Sequence, residues 1–170
     1  RVPHGILTNR VVIDKPITVR SVNGPSNTFI KGAGPMGDSA VRCAYVGTNA
    51  VLSGFTLTNG ATRTNGVKFF DQMGGGAWCD YEGVLTNCTL TGNAANDSGG
   101  GAFAGTLNNC LLSGNTASNW GGGASFSTLN NCILSGNSAY SGGGAAYSTL
   151  NNSMLSGNWA RDGGGASSST

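Results

Sequence analysis

The sequence predicts an all-β fold, a right-handed parallel β-helix of about seven to eight coils. Three observations predict it: a repeat of about 21 to 25 residues, a Gly-Gly-Gly-Ala opening in each copy, and alternation of apolar and polar residues within each copy. The copies are residues 74–98, 99–120, 121–141 and 142–162, and a fifth begins at Gly163. A helical solenoid is disfavoured because three consecutive glycines would cost about 1 kcal/mol each in a helix.

Residues 1–73 follow the same scheme less closely. Residues 51–60 align with residues 84–93, which indicates strands of an earlier coil. Residues 61–73 break the period, so we expect a longer loop there. The whole chain is therefore predicted to be one β-helix domain, irregular in residues 1–73 and regular in residues 74–170, and to be part of a larger protein.

Each regular copy is predicted to contain two short strands separated by a one-residue bend, because the two-residue alternation resets once within the copy. The alternation assigns an inward or outward direction to each side chain. Two columns of leucines are predicted to face the core: Leu85, Leu107, Leu129 and Leu150, and Leu90, Leu112, Leu134 and Leu155. The position before the second leucine varies freely and is predicted to face outward: Thr89, Leu111, Ile133 and Met154.

Asparagine recurs at two positions of every copy. The two columns are Asn87, Asn109, Asn131 and Asn152, and Asn93, Asn115, Asn137 and Asn158. Asparagine tolerates the left-handed backbone conformation that a sharp bend requires. Stacked about 4.8 Å apart, its amides can also hydrogen-bond from coil to coil. Both columns are therefore predicted to mark corners and to form amide ladders rather than ligand sites.

The composition excludes several classes of function. Charged residues make up 9% of the chain, against about 25% in an average domain, and a net charge of +2 without a basic run argues against nucleic acid as a partner. No apolar stretch reaches the roughly 20 residues that a membrane-spanning helix needs. Residues 98–160 contain no Asp, Glu, Lys, Arg or His, so these coils supply neither an acid–base catalyst nor the carboxylates of a metal site. We therefore expect no metal and no cofactor.

Five cysteines are present: Cys43, Cys79, Cys88, Cys110 and Cys132. An odd number cannot all pair within one chain. The last three share one column, in which neighbouring Cα–Cβ vectors are parallel, a poor geometry for a disulfide. We expect buried free thiols that act as small hydrophobic side chains, with a Cys43–Cys79 disulfide as the main alternative. No cysteine and histidine spacing typical of a metal site occurs.

The repeat resembles a known family. The Gly-Gly-Gly-Ala openings and Leu-x-Gly-Asn closings within residues 11–170 are similar to the right-handed parallel β-helix of pectin-lyase-like proteins, and to repeats of bacterial polymorphic outer-membrane and other large secreted surface proteins. The resemblance implies an extracellular or cell-surface location in a bacterium. It does not carry over the pectate-lyase activity, because the Asp cluster and the catalytic Arg or Lys have no matching positions in the regular coils.

Catalytic groups must lie in residues 1–97 or at Arg161 and Asp162. The densest acidic group consists of Asp71, Asp80 and Glu82. Asp80 and Glu82 are two residues apart, so in a strand they would share a face at about 7 Å, a separation compatible with cleavage of a glycosidic bond. The alternative is the solvated rim of a loop.

Three residues are candidates for ligand binding: Arg42, Trp78 and Phe103. Aligning residues 41–43 with residues 77–79 places them in one outward column. An exposed aromatic pair beside a guanidinium can stack on a sugar ring.

A second aromatic ridge is predicted at Trp120, Tyr140 and Trp159, which lie near the corner before successive glycine triplets. Exposed aromatic side chains on a monomer often mark interaction sites. The alternative for both aromatic groups is that they fold over the corner and cover the core.

Three functions fit these observations. The first is a non-catalytic module of a bacterial secreted or cell-surface protein, acting as a structural stalk, an adhesin or a glycan-binding surface. The second is a polysaccharide-degrading enzyme, a lyase or a glycoside hydrolase, with its site in the N-terminal half. The third is a self-assembling fibre subunit that stacks coil end to coil end, because unpaired strand edges invite such contacts. The neutral Ser, Thr and Asn surface favours the first, whose expected partner is a polysaccharide or a cell-surface glycan.

Overall fold

The computed structural model describes residues 9–170. Residues 1–8, the predicted start of the β-helix domain, lie outside the described residues. Within the described range the chain forms 23 short strands and one helical turn. In chain order, the elements are β1 (Asn9–Ile13), β2 (Thr18–Arg20), β3 (Phe29–Lys31), β4 (Arg42–Val46), β5 (Val51–Ser53), β6 (Thr56–Thr58), α1 (Lys68–Asp71), β7 (Ala77–Cys79), β8 (Val84–Thr86), β9 (Thr89–Thr91), β10 (Ala94–Ala95), β11 (Ala102–Phe103), β12 (Thr106–Asn108), β13 (Leu111–Ser113), β14 (Thr116–Ala117), β15 (Ala124–Ser125), β16 (Thr128–Asn130), β17 (Ile133–Ser135), β18 (Ser138–Ser141), β19 (Ala145–Ala146), β20 (Thr149–Asn151), β21 (Met154–Ser156), β22 (Trp159–Asp162) and β23 (Ala166–Ser167).

The strands form four parallel sheets that run along the molecule. Sheet 1 contains β1, β4, β7, β11, β15, β19 and β23, and sheet 2 contains β2, β5, β8, β12, β16 and β20. Sheet 3 contains β3, β6, β9, β13, β17 and β21, and sheet 4 contains β10, β14, β18 and β22. Each interior strand pairs in parallel with strands one turn before and one turn after it. The chain therefore winds around one axis, and the fold is a parallel β-helix, as predicted.

The turns differ in length along the chain. The first two are the longest, since Asn9 pairs with Arg42 and Ala44 pairs with Ala77. The next turn is shorter, because Ala77 pairs with Ala102. The turns that follow are shorter again and keep nearly the same length to the end of the chain. The described residues make six full turns and begin a seventh, because the first two turns are longer than the regular repeat.

The predicted leucine columns form the core. Leu107 pairs with Leu85 on one side and with Leu129 on the other, and all three side chains are fully buried. The second leucine column is aligned in the same way. Leu111 and Ile133, at the freely varying position, are exposed on the outer face. The inward and outward assignment is confirmed, and each buried leucine contributes about 2 kcal/mol of hydrophobic stabilisation.

The two asparagine columns differ in backbone conformation. The first column adopts the left-handed conformation as predicted, with φ between 49° and 53°. The second does not, because the preceding glycine makes the bend instead: Gly114 has φ of 61°, and Asn115 after it is fully buried. The prediction that asparagine adopts the left-handed conformation at the corner is therefore confirmed for the first column and wrong for the second.

The second asparagine column forms an amide ladder inside the core. Nδ2 of Asn115 donates to Oδ1 of Asn137 at 3.0 Å and to the carbonyl oxygen of Leu90 at 2.9 Å. Oδ1 of Asn115 accepts hydrogen bonds from Nδ2 and from the backbone N–H of Asn93, both at 3.0 Å. Both polar atoms of the buried amide are satisfied by neighbouring turns, which holds successive turns in register.

At the glycine triplets, the backbones of successive turns are in direct contact. The backbone N–H of Gly122 donates to the carbonyl oxygen of Gly142 at 3.3 Å, and that of Gly123 donates to Gly143 at 3.1 Å. A Cβ atom at Gly122 would lie 2.6 Å from the carbonyl oxygen of Gly143, closer than real Cβ atoms approach. The triplet recurs because any side chain there would hold neighbouring turns apart.

Candidate functional site

The three residues predicted to bind a ligand are buried. Arg42 is 2% exposed, Trp78 is 6% exposed and Phe103 is 2% exposed. The alignment of Arg42 with Trp78 is wrong by three residues, because Tyr45 pairs with Trp78. The alignment assumed a longer turn than the chain makes between these two strands. The exposed column that motivated the sugar-binding prediction does not form at these residues.

Arg42 holds the long loop onto sheet 1. Its Nη2 donates to the carbonyl oxygens of Phe70 and Met73, both at 2.7 Å. Its Nε donates to the carbonyl oxygen of Gly74 at 2.7 Å, and its Nη1 donates to Oδ1 of Asn9 at 3.0 Å. A guanidinium suits this task because its five donors form a rigid fork. Burial lowers the pKa of Arg42 from 12.5 to about 10.

An aromatic stack explains why the other two candidates are buried. The ring centroids of Tyr45 and Trp78 lie 5.5 Å apart, and those of Trp78 and Phe103 lie 6.1 Å apart. Helix α1 lays Phe69 and Phe70 over this stack, with Phe69 edge-on to Phe103 at 5.4 Å. Nε1 of Trp78 donates to the carbonyl oxygen of Phe69 at 3.0 Å. The aromatic side chains here cover the sheet, which is the alternative that the sequence left open.

The three candidate carboxylates do not converge on one site. Asp71 is buried in α1, and its Oδ2 accepts the backbone N–H of Val67 at 2.8 Å within the same loop. Asp80 and Glu82 lie in the connection between β7 and β8 rather than in a strand. The shared strand face expected for Asp80 and Glu82 therefore does not form.

Asp80 and Glu82 do line one groove, together with Thr48 and Tyr81, with a volume of about 400 Å³. Oδ2 of Asp80 accepts the backbone N–H of Thr48 at 3.0 Å and its hydroxyl at 2.9 Å. The hydroxyl of Tyr45 donates to the same oxygen at 3.1 Å. Burial, reinforced by the Asp80 carboxylate, raises the pKa of Tyr45 to about 12. The groove thus presents two carboxylates and the phenol of Tyr81 to solvent.

The five cysteines lie in the core of the β-helix. All five are buried and free, as expected, and the alternative Cys43–Cys79 disulfide does not form. Val46, not Cys43, pairs with Cys79, so the two thiols do not occupy the same column. Burial raises the pKa of Cys79 to about 12 and that of Cys43 to about 11. Both thiols are therefore neutral at physiological pH, which makes them poor nucleophiles.

No cluster of three or more His, Cys, Asp or Glu side chains able to hold a metal ion occurs among residues 9–170.

An ion pair between an exposed lysine and a buried aspartate, which the sequence did not suggest, joins α1 to the first regular turns. Nζ of Lys68 lies 2.9 Å from Oδ1 of Asp97, which is buried. The same carboxylate accepts Nδ2 of Asn119 at 2.6 Å and the hydroxyl of Ser98 at 2.9 Å. The Lys68 ammonium also lies 5.5 Å from the ring centroid of Trp120. The repeat pattern does not predict this ion pair, because Lys68 lies in the irregular loop.

Trp120, Tyr140 and Trp159 do not form a single ridge. Trp120 pairs with Ser141, whereas Trp159 pairs with Ser138, so the three aromatic residues lie in different columns. Trp120 is half-buried, while Tyr140 is 48% exposed and Trp159 is 69% exposed. The solvent-facing aromatic surface of the regular turns thus includes the outer face of sheet 4.

The architecture defines the chain as a parallel β-helix, a solenoid in which each turn contacts its neighbours. No family model matches the chain, and no curated protein or solved structure shows significant similarity to it. No helix among the described residues is long and apolar enough to cross a membrane. The function must therefore be argued from the surface and its chemistry, because this scaffold supports many activities.

Proposed function

We propose that the chain is a non-catalytic β-helix module of a bacterial secreted or cell-surface protein, a stalk whose outer faces bind glycans. The observation that carries the proposal is the uninterrupted stack of turns over residues 98–160, which contains no Asp, Glu, Lys, Arg or His. Leucine columns and the amide ladder fill its interior. A filled interior and a neutral surface suit a structural and binding role better than acid–base catalysis.

The outer face of sheet 2 supports the glycan-binding part of the proposal. Thr106, Thr128 and Thr149 stand in register along it. Nδ2 of Asn130 donates to Oδ1 of Asn108 at 2.8 Å, and Nδ2 of Asn151 donates to Oδ1 of Asn130 at the same distance. Rows of hydroxyl and amide groups offer both donors and acceptors to polysaccharide hydroxyls.

The extracellular location rests on the resemblance of the repeat to secreted and surface proteins. The Gly-Gly-Gly-Ala openings and Leu-x-Gly-Asn closings are the motifs that carry this resemblance. The polar, nearly uncharged surface is compatible with that location.

A panel of neutral and uronic-acid polysaccharides tests the proposal in two arms. We expect the purified chain to be retained by at least one polysaccharide in affinity electrophoresis. We also expect it to release neither new reducing ends nor unsaturated products. Release of either product by the folded chain would contradict the non-catalytic assignment, and retention by none of the polysaccharides would contradict the binding role.

A polysaccharide-degrading enzyme is the second candidate, and the groove lined by Asp80 and Glu82 favours it. Cleavage that disappears in Asp80→Asn or Glu82→Gln would establish this activity in place of the first proposal. Asp14→Asn is the matched control, because Asp14 is an exposed carboxylate outside the groove.

A further inference from the structure

Sheet 4 carries a groove on its outer face, with a volume of about 350 Å³. Its lining includes six polar or aromatic side chains: Thr116, Ser118, Ser138, Tyr140, Trp159 and Arg161. The pairing of β18 with β22 sets Ser138 opposite Trp159, and Arg161 lies beside the ring of Tyr140. The predicted ridge of Trp120, Tyr140 and Trp159 does not include Arg161. The two-residue spacing from Trp159 to Arg161 in the sequence indicates that both side chains lie on one face of a strand.

The groove offers aromatic surface that is free of other rings. Trp159 and Tyr140 are both well exposed, and within the described range neither ring packs against another aromatic ring. The small buried side chains of Ala117 and Ala139 also line the groove. The apolar face of a pyranose ring packs well against an exposed indole or phenol.

The charge of the groove is positive. The guanidinium of Arg161 lies 5.3 Å from the ring centroid of Tyr140, and this cation–π contact positions the charge at the edge of the groove. Arg161 forms no ion pair with any residue that the structure describes. Asp162 follows it along the strand but is not one of the lining residues. Residues 98–160 contribute no charge of either sign, so Arg161 sets the preference of this face.

Three hydroxyl groups complete the groove, those of Thr116, Ser118 and Ser138. Within residues 9–170 none of them forms a hydrogen bond with another protein group. A hydroxyl both donates and accepts, so each can pair with a sugar hydroxyl. An aromatic platform, free hydroxyls and one guanidinium together match a sugar ring that carries an anionic group.

We infer that this groove binds an acidic glycan, a polysaccharide whose sugar rings carry a carboxylate or a sulfate group. One pyranose ring lies against Trp159, its hydroxyls pair with Thr116 and Ser138, and its anionic group pairs with Arg161. The inference rests on the proposed glycan-binding function and adds the site and the charge class of the glycan. Binding weakens as salt is raised, because an exposed ion pair is screened by dissolved ions.

Calorimetric titration of the whole chain with three soluble probes tests the charge class. The probes are a hyaluronan oligosaccharide, which carries carboxylates, a sulfated dextran oligosaccharide, and neutral dextran of the same length. We expect at least one acidic probe to bind about fivefold more tightly than dextran. The tighter of the two acidic probes identifies carboxylate or sulfate as the preferred group. Equal affinity for all three probes would overturn the charge assignment.

Two variants test the position of the site. Trp159→Ala is expected to weaken binding of the acidic probe about tenfold. Arg161→Gln is expected to remove the preference for the acidic probe over dextran. Phe29→Ala and Arg20→Gln remove an exposed ring and an exposed cation elsewhere and are expected to bind as the wild type does. All four residues are exposed, so the thermal unfolding midpoint should stay unchanged and shows that each variant is folded.

The outcomes separate this inference from the proposed function. If the wild type binds an acidic probe and both Trp159→Ala and Arg161→Gln bind it equally well, the site is wrong and the glycan-binding function stands. If the wild type binds neither acidic probe and is retained only by neutral polysaccharides of the panel, the acidic class is wrong. If the chain binds no polysaccharide at all, the inference and the proposed binding function both fail.

Discussion

The first two turns of the β-helix and the later turns are held together in different ways. The first two are the longest, and all but two of the charged residues of the chain precede residue 98. Their stabilising polar contacts occur once, as when Arg42 binds the carbonyl oxygens of the long loop. The last turns are the shortest, and their contacts recur from turn to turn, as in the ladder through Asn115 and Asn137.

This difference shows what a strict repeat contributes to stability. In a regular turn the buried asparagine is satisfied by the equivalent asparagine of the next turn and by a backbone carbonyl oxygen, so one solution serves every copy. In an irregular turn no equivalent group lies above or below, and each buried polar group requires a partner of its own. The regular turns can therefore dispense with charges, whereas the first turns depend on them.

The largest effect is expected from placing a charge in a regular leucine column. Leu129→Asp should unfold several turns, because an isolated carboxylate buried among leucines costs several kcal/mol. Ile133→Thr, four residues away on the outer face, should change the free energy of unfolding by less than about 0.5 kcal/mol. Urea unfolding followed by circular dichroism measures both. An equal loss in the free energy of unfolding in the two variants would contradict the inward and outward assignment.

The next largest effect is expected at the glycine triplets, which only the regular turns contain. Gly122→Ala should destabilise the chain by at least about 3 kcal/mol, because its Cβ would collide with the backbone of the next turn. Gly114→Ala has open space around it and should cost only about 1 kcal/mol, the strain of a left-handed alanine. If both variants melt at the same temperature, close packing of the triplets does not explain their recurrence.

A smaller and local effect is expected in the first turns. Arg42→Met should cost about 2–3 kcal/mol, because it leaves several buried carbonyl oxygens without a donor. Limited proteolysis should cut the loop over residues 61–73 faster in this variant, while the regular turns stay resistant. Arg20→Met changes an exposed arginine and is the control. Unchanged proteolysis in Arg42→Met would show that the loop does not depend on this side chain.

A further effect, which appears only at alkaline pH, is a loss of stability caused by the buried thiols near the junction of the two regions. The thiol of Cys79 has a pKa of about 12 in the folded chain against 9.0 unperturbed, so between these values the unfolded chain loses its proton first. The free energy of unfolding therefore falls as pH rises from about 9 to about 12, by at most about 1.4 kcal/mol per pH unit from this thiol.

Variants of the two thiols define the pH range of this loss. Cys79→Ala should flatten the pH dependence of unfolding up to about 12, and Cys43→Ala only up to about 11, where the pKa of its thiol lies. Chemical unfolding at a series of pH values gives the slope. A slope identical to that of the wild type in both variants would show that neither thiol is protected by burial.

The repeat made much of the fold predictable. The positions of Leu129 and Ile133 followed from alternation within one copy, and the pairing of turns followed from the alignment of copies. The same reasoning failed at Arg42, because the alignment of an irregular turn lacks the fixed period that sets the register. It also failed at Asn115, since a neighbouring glycine took the left-handed bend and freed the asparagine for the core.

The candidate sites were less predictable because exposure depends on contacts outside the repeat. Trp78 and Phe103 face outward from sheet 1, but Phe69 of the irregular loop covers them. No pattern in the sequence indicates where that loop folds. Trp159 and Arg161 lie on one regular strand, and for that reason their two-residue spacing could have placed them on the same face.

Nuclear Overhauser contacts between backbone protons test the winding of the chain most directly. We expect contacts between Leu111 and Ile133 and between Ile133 and Met154, pairs that lie one turn apart and face each other in parallel strands. Antiparallel contacts between β16 and β17, which follow each other in the sequence, would instead reveal a hairpin and contradict the β-helix.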